Sequence, residues 1–177
     1  PIELVTAIHG DGMVRAFYVY TKFDNPIIID GALEYGLLSL FEKDSLDSTT
    51  ATLTFSDFKA DNATIKGLWK DNETKKELGI TLTKVFDIDF GDSIQWTTKE
   101  LLQPASSKDR YFRLVLSKVQ GEFFAKVIGI KIFEKKTDKL IQEISNVEYQ
   151  TWGLENISIG DYNFDGVNDF SVFEQSY

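Results

Sequence analysis

The residues with the clearest chemical potential form one acidic segment, residues 161–169, which reads DYNFDGVND. Its first, third, fifth and ninth positions carry side-chain oxygens, and its sixth position is Gly166. A hard cation such as Ca²⁺ takes six to eight oxygen ligands, and calcium loops combine this alternation with a backbone carbonyl at the seventh position. Gly at the sixth position allows the bend that wraps the chain around an ion. We therefore predict one Ca²⁺ site, formed by the side chains of Asp161, Asn163, Asp165 and Asp169 and the carbonyl of Val167.

The surroundings of this segment differ from those of an EF-hand loop. An EF-hand lies between helices and ends in a bidentate Glu at the twelfth position, which is Val172 here. Residues 156–160 and 170–173 both have the pattern of extended chain. We predict that the loop joins two β-strands, and that Tyr162 and Phe164 pack inwards to anchor it.

The rest of the sequence shows no set of residues with catalytic spacing. The single histidine, His9, lies beside a Gly-rich turn, and the chain has neither a GxSxG motif nor any Cys. A pair among the 28 Asp and Glu residues could hydrolyse glycosides, but their abundance alone is no signal. We therefore predict a binding protein rather than an enzyme, with Trp96 as a partner-binding candidate.

The first half of the chain has the pattern of an antiparallel β-meander. Short segments rich in Val, Ile, Thr, Phe and Tyr alternate with turn residues, and Gly10-Asp11-Gly12 joins the first two segments as a hairpin. The alternation of apolar and polar residues predicts strands over 4–9, 13–21, 27–34, 37–42, 52–57, 64–70 and 78–85.

The alternation of apolar and polar residues is lost around Pro104. Here we predict an irregular connector over residues 87–110 with a helical turn over 97–102. Strands resume over 111–119, 126–134 and 139–145, and large apolar residues on both faces of the first two predict that these are central. The predicted fold is all-β, an antiparallel meander or sandwich in two packed lobes, residues 1–86 and 111–177, with the calcium loop between strands.

The composition limits the classes of partner and location. A formal net charge of −9 disfavours nucleic acid and anionic membrane surfaces, which require clustered Lys and Arg. No apolar run reaches the roughly 18 residues of a membrane span. The absence of Cys and the calcium loop, which would be empty in a cytosol low in calcium, favour export to the periplasm or cell envelope. Because the chain opens on Pro1, we expect any signal segment to have been removed.

Residues 159–173 resemble the DxNxDGxxD calcium loops of integrin-type FG-GAP and VCBS repeats, and the motif occurs once here. The order of strands over 111–119, 127–134 and 140–144, then Trp152-Gly153, then the loop, is similar to the Xanthomonas-type family of calcium-binding periplasmic lipoproteins and immunity proteins, which includes proteins like lysozyme inhibitors. The resemblance covers the chain from residue 111 onwards. The earlier half looks like the meander that precedes this module in bacterial lipoproteins.

The resemblance implies an envelope-located immunity protein that inhibits a peptidoglycan-degrading effector of a secretion system, with calcium holding the inhibitory lobe in shape. Only the calcium ligands carry over residue by residue, because the inhibitory contacts of the family stand on variable loops. The family's lipid anchor needs a Cys that this chain lacks, so an anchor would belong to a precursor. The alternative is a surface adhesion or carbohydrate-binding module with structural calcium, in which an exposed Trp or Tyr stacks on a sugar.

Overall fold

The computed structural model describes residues 1–21, 25–88, 95–151 and 153–173, and every helix or strand assigned within these ranges is a β-strand. The predicted all-β, antiparallel class is therefore confirmed. The chain forms two compact units. The first contains Pro1–Glu3, Val19–Pro26 and Ile88–Tyr177, and the second contains Leu4–Tyr18 and Ile27–Asp87.

A curled seven-stranded sheet forms from the first half of the chain. Each strand lies next to the strand that follows it in sequence, so the predicted meander is confirmed. The strands are β1 (Ile2–Ile8), β2 (Met13–Tyr20), β3 (Ile27–Glu34), β4 (Leu37–Lys43), β5 (Thr49–Phe55), β6 (Thr64–Asp71) and β7 (Glu77–Thr83).

One face of this sheet carries the core of the second unit. Leu40 pairs with Gly31 on β3 and with Leu53 on β5, and residues two positions along each strand share that face. Apolar side chains at these alternating positions lose almost all contact with water, which is the main favourable term in folding. The buried residues of this face are Val14, Ala16, Tyr18, Ile29, Leu38, Leu40, Ala51, Leu53 and Phe55.

Two glycines on the same face allow neighbouring strands to approach closely. A Cβ on Gly67 would lie 2.3 Å from the carbonyl oxygen of Thr54 and 2.4 Å from Cδ1 of Phe55. A Cβ on Gly31 would lie 2.0 Å from the carbonyl oxygen of Ser39. The missing side chains therefore leave room for the partner strand and for the ring of Phe55.

A second sheet of four strands forms in the first unit, in the order β11-β10-β9-β8. The two central strands, β9 and β10, are the ones whose apolar residues on both faces predicted a central position. Their buried side chains include Phe112, Leu114, Leu116, Val127, Ile130 and Ile132. The strands are β8 (Trp96–Ser106), β9 (Arg110–Lys118), β10 (Lys126–Glu134) and β11 (Leu140–Gln150).

Strand β8 corrects the sequence reading of residues 87–110. Trp96–Ser106 is extended, and the helical turn predicted over 97–102 is wrong. Leu101 and Leu102 are both buried and pair with Leu114 and Arg113 of β9, so tertiary pairing overrides a locally polar sequence. Pro104 lies where the register shifts between Leu102 and Ser106, a position where a strand tolerates a residue without an N–H.

Buried polar groups in the first unit mostly have partners. The Nζ atom of Lys135 donates to Asn25 Oδ1 at 2.7 Å and to Ser106 Oγ at 3.1 Å. The hydroxyl of Tyr149 is the exception among the described residues, because it is buried and has no hydrogen-bond partner. Burial raises the pKa of Tyr149 to about 12, so this phenol stays neutral at physiological pH.

The close contact at Gly67 leads to a testable prediction. Gly67→Ala should destabilise the protein by about 1–3 kcal/mol, because the new methyl group must displace a backbone carbonyl or the ring of Phe55. Urea unfolding followed by circular dichroism measures the change.

Gly79, on the neighbouring strand, provides the matched control because nothing lies within 4 Å of its Cβ position. Gly79→Ala should leave the midpoint unchanged or raise the free energy of unfolding by up to about 1 kcal/mol, since Ala loses less backbone freedom than Gly on folding. Equal midpoints for the two variants would contradict the packing argument.

Candidate functional site

The acidic segment joins two short strands, β12 (Ile157–Gly160) and β13 (Asp169–Val172). These strands pair antiparallel, with Gly160 opposite Asp169, so residues 161–168 form the connecting loop of a hairpin. The prediction that the segment lies between two strands is confirmed.

The loop is held by bonds from its own backbone to its polar side chains. The carboxylate of Asp161 accepts the N–H of Asp165 at 3.0 Å on Oδ1 and the N–H of Gly166 at 2.9 Å on Oδ2. Asn163 Oδ1 accepts the same Asp165 N–H at 3.0 Å. Oxygens of Asp161 and Asn163 therefore converge on one backbone atom, which orders the first half of the loop.

The second half of the loop is bonded in the same way. Asp165 Oδ1 accepts the N–H of Val167 at 2.8 Å, and Asp165 Oδ2 accepts from the side-chain amide of Asn163 at 2.9 Å. Asp169 Oδ2 accepts the N–H of Tyr162 at 3.3 Å, which closes the loop at its base. All four side chains predicted to bind calcium thus take part in one local network.

The oxygen atoms of the loop are of the type that binds a hard cation, but their side chains are not positioned around a common centre. Carboxylate, amide and carbonyl oxygens are the ligands of Ca²⁺, and a carboxylate oxygen that accepts one N–H keeps a second lone pair. Within the ranges that the structure describes, however, no group of three or more Asp, Glu, His or Cys side chains is placed to hold a metal ion. Asp161, Asp165 and Asp169 are therefore turned towards backbone N–H groups and not gathered at one point.

The aromatic residues of the loop lie differently from the prediction. Phe164 is 90% exposed, so its predicted inward packing is wrong. Tyr162 is 50% exposed; its ring lies beside Gly160, and its hydroxyl is 3.2 Å from Ser171 Oγ, which donates to it. The physical reason is that polar side chains and the N–H groups they bind occupy the inside of the loop, which leaves the alternate positions to point outwards.

The hairpin that carries the loop is attached to the four-stranded sheet. Ile157 is buried, and Phe170 packs against Phe112 of β9 with ring centroids 5.2 Å apart. The buried side chain of Gln103 accepts the N–H of Asn156 at 3.0 Å, immediately before β12. The sequence analysis did not predict that Gln103 is buried and bonded. A polar residue directly after the apolar pair Leu101-Leu102 is the signal that could have indicated it.

A second polar cluster, also missed, lies on the apolar face of the seven-stranded sheet. Glu42 Oε1 accepts the hydroxyl of Tyr18 at 2.7 Å and the indole N–H of Trp69 at 2.8 Å. The cluster therefore links β2, β4 and β6 and satisfies two aromatic donors. The sequence signal for this cluster is the alternation of side chains along a strand, which places Glu42 on the same face as Leu38 and Leu40.

Trp96, the predicted partner-binding residue, lies at the start of β8 opposite Lys118 and is partly buried. Trp152 lies outside the described residues. His9 is exposed beside the first hairpin turn, where its backbone N–H donates to the carbonyl of Met13. Trp96 and His9 thus take no part in the polar network of the loop.

Comparison of the chain with protein families, with curated sequences and with solved structures finds no match. Among the residues that the structure describes, no helix has the length and apolar character needed to cross a bilayer. The role of the loop must therefore be inferred from its own residues and geometry.

The bond between Gln103 and Asn156 can be tested directly. Gln103→Leu keeps the approximate volume but removes the acceptor, so a buried N–H loses its partner and the protein should lose about 1–3 kcal/mol of stability. Amide exchange at Asn156, measured by NMR, should accelerate more than exchange in β2 to β5.

Gln142, an exposed residue of β11, is the control for the chemical change itself. Gln142→Leu should alter the free energy of unfolding by no more than about 0.5 kcal/mol. If Gln103→Leu is equally mild, the buried hydrogen bond does not hold the hairpin.

Proposed function

We propose that residues 161–169 bind one Ca²⁺ and that the protein is an exported immunity protein, which binds and inhibits a peptidoglycan-degrading effector of a bacterial secretion system. The observation that supports the calcium site is the loop network, in which the side chains of Asp161, Asn163, Asp165 and Asp169 all turn onto the loop's own N–H groups. The oxygens that order the loop are of the type that a hard cation binds.

Side-chain and backbone oxygens of the loop would together form the ligands of the ion. Asp161, Asp165 and Asp169 supply carboxylates, and Asn163 and Val167 supply an amide and a backbone oxygen. Bound Ca²⁺ would supply the positive charge that offsets three carboxylates in one short loop. Because these carboxylates are not gathered at one point, binding requires their side chains to turn towards a common centre.

The inhibitory role is supported by charge and by the resemblance from residue 111 onwards. A net charge of −9 accelerates encounter with a basic enzyme and disfavours anionic surfaces. Calcium is abundant outside the cytosol, which suits an exported protein that binds the ion. The partly buried position of Trp96 gives no support to the alternative of a carbohydrate-binding surface at that residue.

Calcium binding predicts a measurable gain in stability. At 100 times the Kd, an ion that binds only the folded protein stabilises it by about 2.7 kcal/mol, which corresponds to a rise in Tm of roughly 5–10 °C for a chain of this size. Asp165→Asn keeps the acceptor for the Val167 N–H but removes the carboxylate charge, so it should lose most of this calcium-dependent rise.

Asn168 is the matched control, because it lies in the same exposed loop but outside the proposed ligand set. Asn168→Ala should keep the full rise in Tm with millimolar calcium. A wild-type protein that melts at the same temperature with calcium and with EDTA would exclude the site.

The inhibitory role has its own test. The calcium-loaded protein should inhibit one class of purified peptidoglycan hydrolase at a near-stoichiometric ratio, measured as the rate of clearing of a peptidoglycan suspension. A muramidase, an amidase and an endopeptidase form the panel. Full hydrolase activity in every case would reject the inhibitory role. Binding to a glycan array would then favour the adhesion alternative.

A further inference from the structure

The chain contains three Asp-Gly pairs, Asp11-Gly12, Asp30-Gly31 and Asp165-Gly166. In such a pair the backbone nitrogen of Gly can attack the carboxyl group of the preceding Asp, because an unstrained ring results and Gly has no side chain to obstruct the attack. The product is a cyclic imide, which hydrolyses either to Asp or to isoaspartate, a covalent change of the main chain. The fold decides which of the three pairs has the freedom to react.

The pair Asp30-Gly31 lies within β3, which is paired on both sides. Gly31 lies opposite Val14 of β2 and Leu40 of β4. A Cβ on Gly31 would lie 2.0 Å from the carbonyl oxygen of Ser39, so the backbone here has no room for a ring. Reaction at Asp30 therefore requires both strand pairings to open first.

The pair Asp11-Gly12, in the turn between β1 and β2, is held by its backbone. The N–H of Gly12 donates to the carbonyl of His9 at 2.9 Å, and the carbonyl of Gly12 accepts the N–H of Leu33 at 2.8 Å. A Cβ on Gly12 would lie 2.8 Å from the carbonyl oxygen of Leu33. Both peptide groups of Gly12 are thus fixed, and one of them is bonded to β3.

The pair Asp165-Gly166 is exposed and lacks these backbone restraints. The N–H of Gly166 donates to a side chain, Asp161 Oδ2 at 2.9 Å, and nothing lies within 4 Å of the Cβ position of Gly166. Within the described ranges, no N–H of residues 162–168 donates to a backbone carbonyl. Rotation of an exposed side chain releases such a bond at little cost, so this pair has the freest backbone of the three.

The carboxylate of Asp165 is also held only by its own loop. It accepts the N–H of Val167 at 2.8 Å and the side-chain amide of Asn163 at 2.9 Å, and both partners are exposed. Neither of the larger sheets has to open for this carboxyl group to meet the nitrogen of Gly166.

We propose that Asp165-Gly166 is a site of spontaneous covalent modification, at which the folded protein converts Asp165 to isoaspartate. The nitrogen of Gly166 forms a bond to Cγ of the protonated Asp165 carboxyl group. The C–O bond to the hydroxyl breaks, and the hydroxyl leaves with the N–H proton as one water. Water then adds back to the imide. When it cleaves the bond between the nitrogen and the original main-chain carbonyl carbon, the chain continues through Cγ. No oxidant, reductant or enzyme takes part.

The modification would change the geometry of the loop. The main chain gains one methylene group before Gly166, and the carboxylate is left directly on Cα of residue 165. The acceptor of the Val167 N–H therefore moves, and the carbonyl of Val167 shifts relative to Asp161. We expect the modified protein to lose the calcium-dependent rise in Tm. This consequence rests on the proposed calcium site, whereas the isomerisation itself does not.

The test follows the three pairs separately in one sample of the folded, full chain. The protein is incubated with EDTA at physiological pH and temperature, in water enriched in heavy oxygen, which enters the chain only when an imide hydrolyses. Peptide mapping by mass spectrometry, with an endoproteinase that cleaves before Asp but not before isoaspartate, gives the rate at each pair. We expect Asp165 to react at least about 10-fold faster than Asp30 and about 3-fold or more faster than Asp11, because only Asp165 needs no backbone bond to open.

Two controls separate the effect of the fold from that of the local sequence. In the chain unfolded by urea, the three pairs should react at rates within about 3-fold of one another, since no tertiary restraint remains. Asp165→Glu keeps a carboxylate but requires a larger ring, so it should remove the product at this site and leave the rates at Asp11 and Asp30 unchanged.

A parallel incubation with calcium distinguishes the modification from the proposed ion site. Calcium should slow the reaction at Asp165 by about 10-fold or more, because a carboxylate that binds the ion is withheld from attack. Equal rates at Asp165 with calcium and with EDTA would count against the ion site and leave the modification in place. A folded chain in which Asp165 reacts no faster than Asp11 and Asp30, although all three react in urea, would overturn the modification site.

Discussion

Pairing between strands that follow one another in the chain is the constraint on which the structure depends. In all three sheets, each strand lies beside its neighbour in sequence, so backbone N–H and C=O groups find partners through short turns. Once this pairing is set, the period of two decides which side chains meet, as for Leu40 with Gly31 and Leu53. The apolar face, the half-buried Glu42 cluster and the need for Gly67 all follow from that register.

In the loop between β12 and β13, backbone N–H groups find hydrogen-bond acceptors on side chains and not on a neighbouring strand. Here no second strand is available to accept N–H groups, and the oxygens of Asp161, Asn163 and Asp165 accept them instead. Because polar groups occupy the inside of the loop, Phe164 projects into solvent. The oxygens that order the loop are also the ones that a cation would use, and this shared use connects the fold of the hairpin to the proposed calcium site.

Attachment of the hairpin to the four-stranded sheet joins the loop to a hydrophobic core. Phe170 packs against Phe112, and Gln103 accepts the N–H of Asn156 from a fully buried position. A buried hydrogen bond of this kind is costly to leave unpaired, so the base of the hairpin is held more firmly than its tip. The molecule thus presents an exposed aromatic tip on a base that is fixed by packing.

The sequence by itself determined the all-β class, most strand positions and the segment 161–169 as a loop between strands, because these follow from local alternation and turn residues. It misplaced residues 96–106, since the pairing of Leu101 and Leu102 with β9 is a contact between distant parts of the chain. Tertiary structure alone decided that Gln103 holds Asn156, that Glu42 joins Tyr18 to Trp69, and that Phe164 faces solvent. The period of two places Glu42 on the apolar face, but which groups surround each of these side chains depends on the folded arrangement, which the spacing of residues along a chain does not contain.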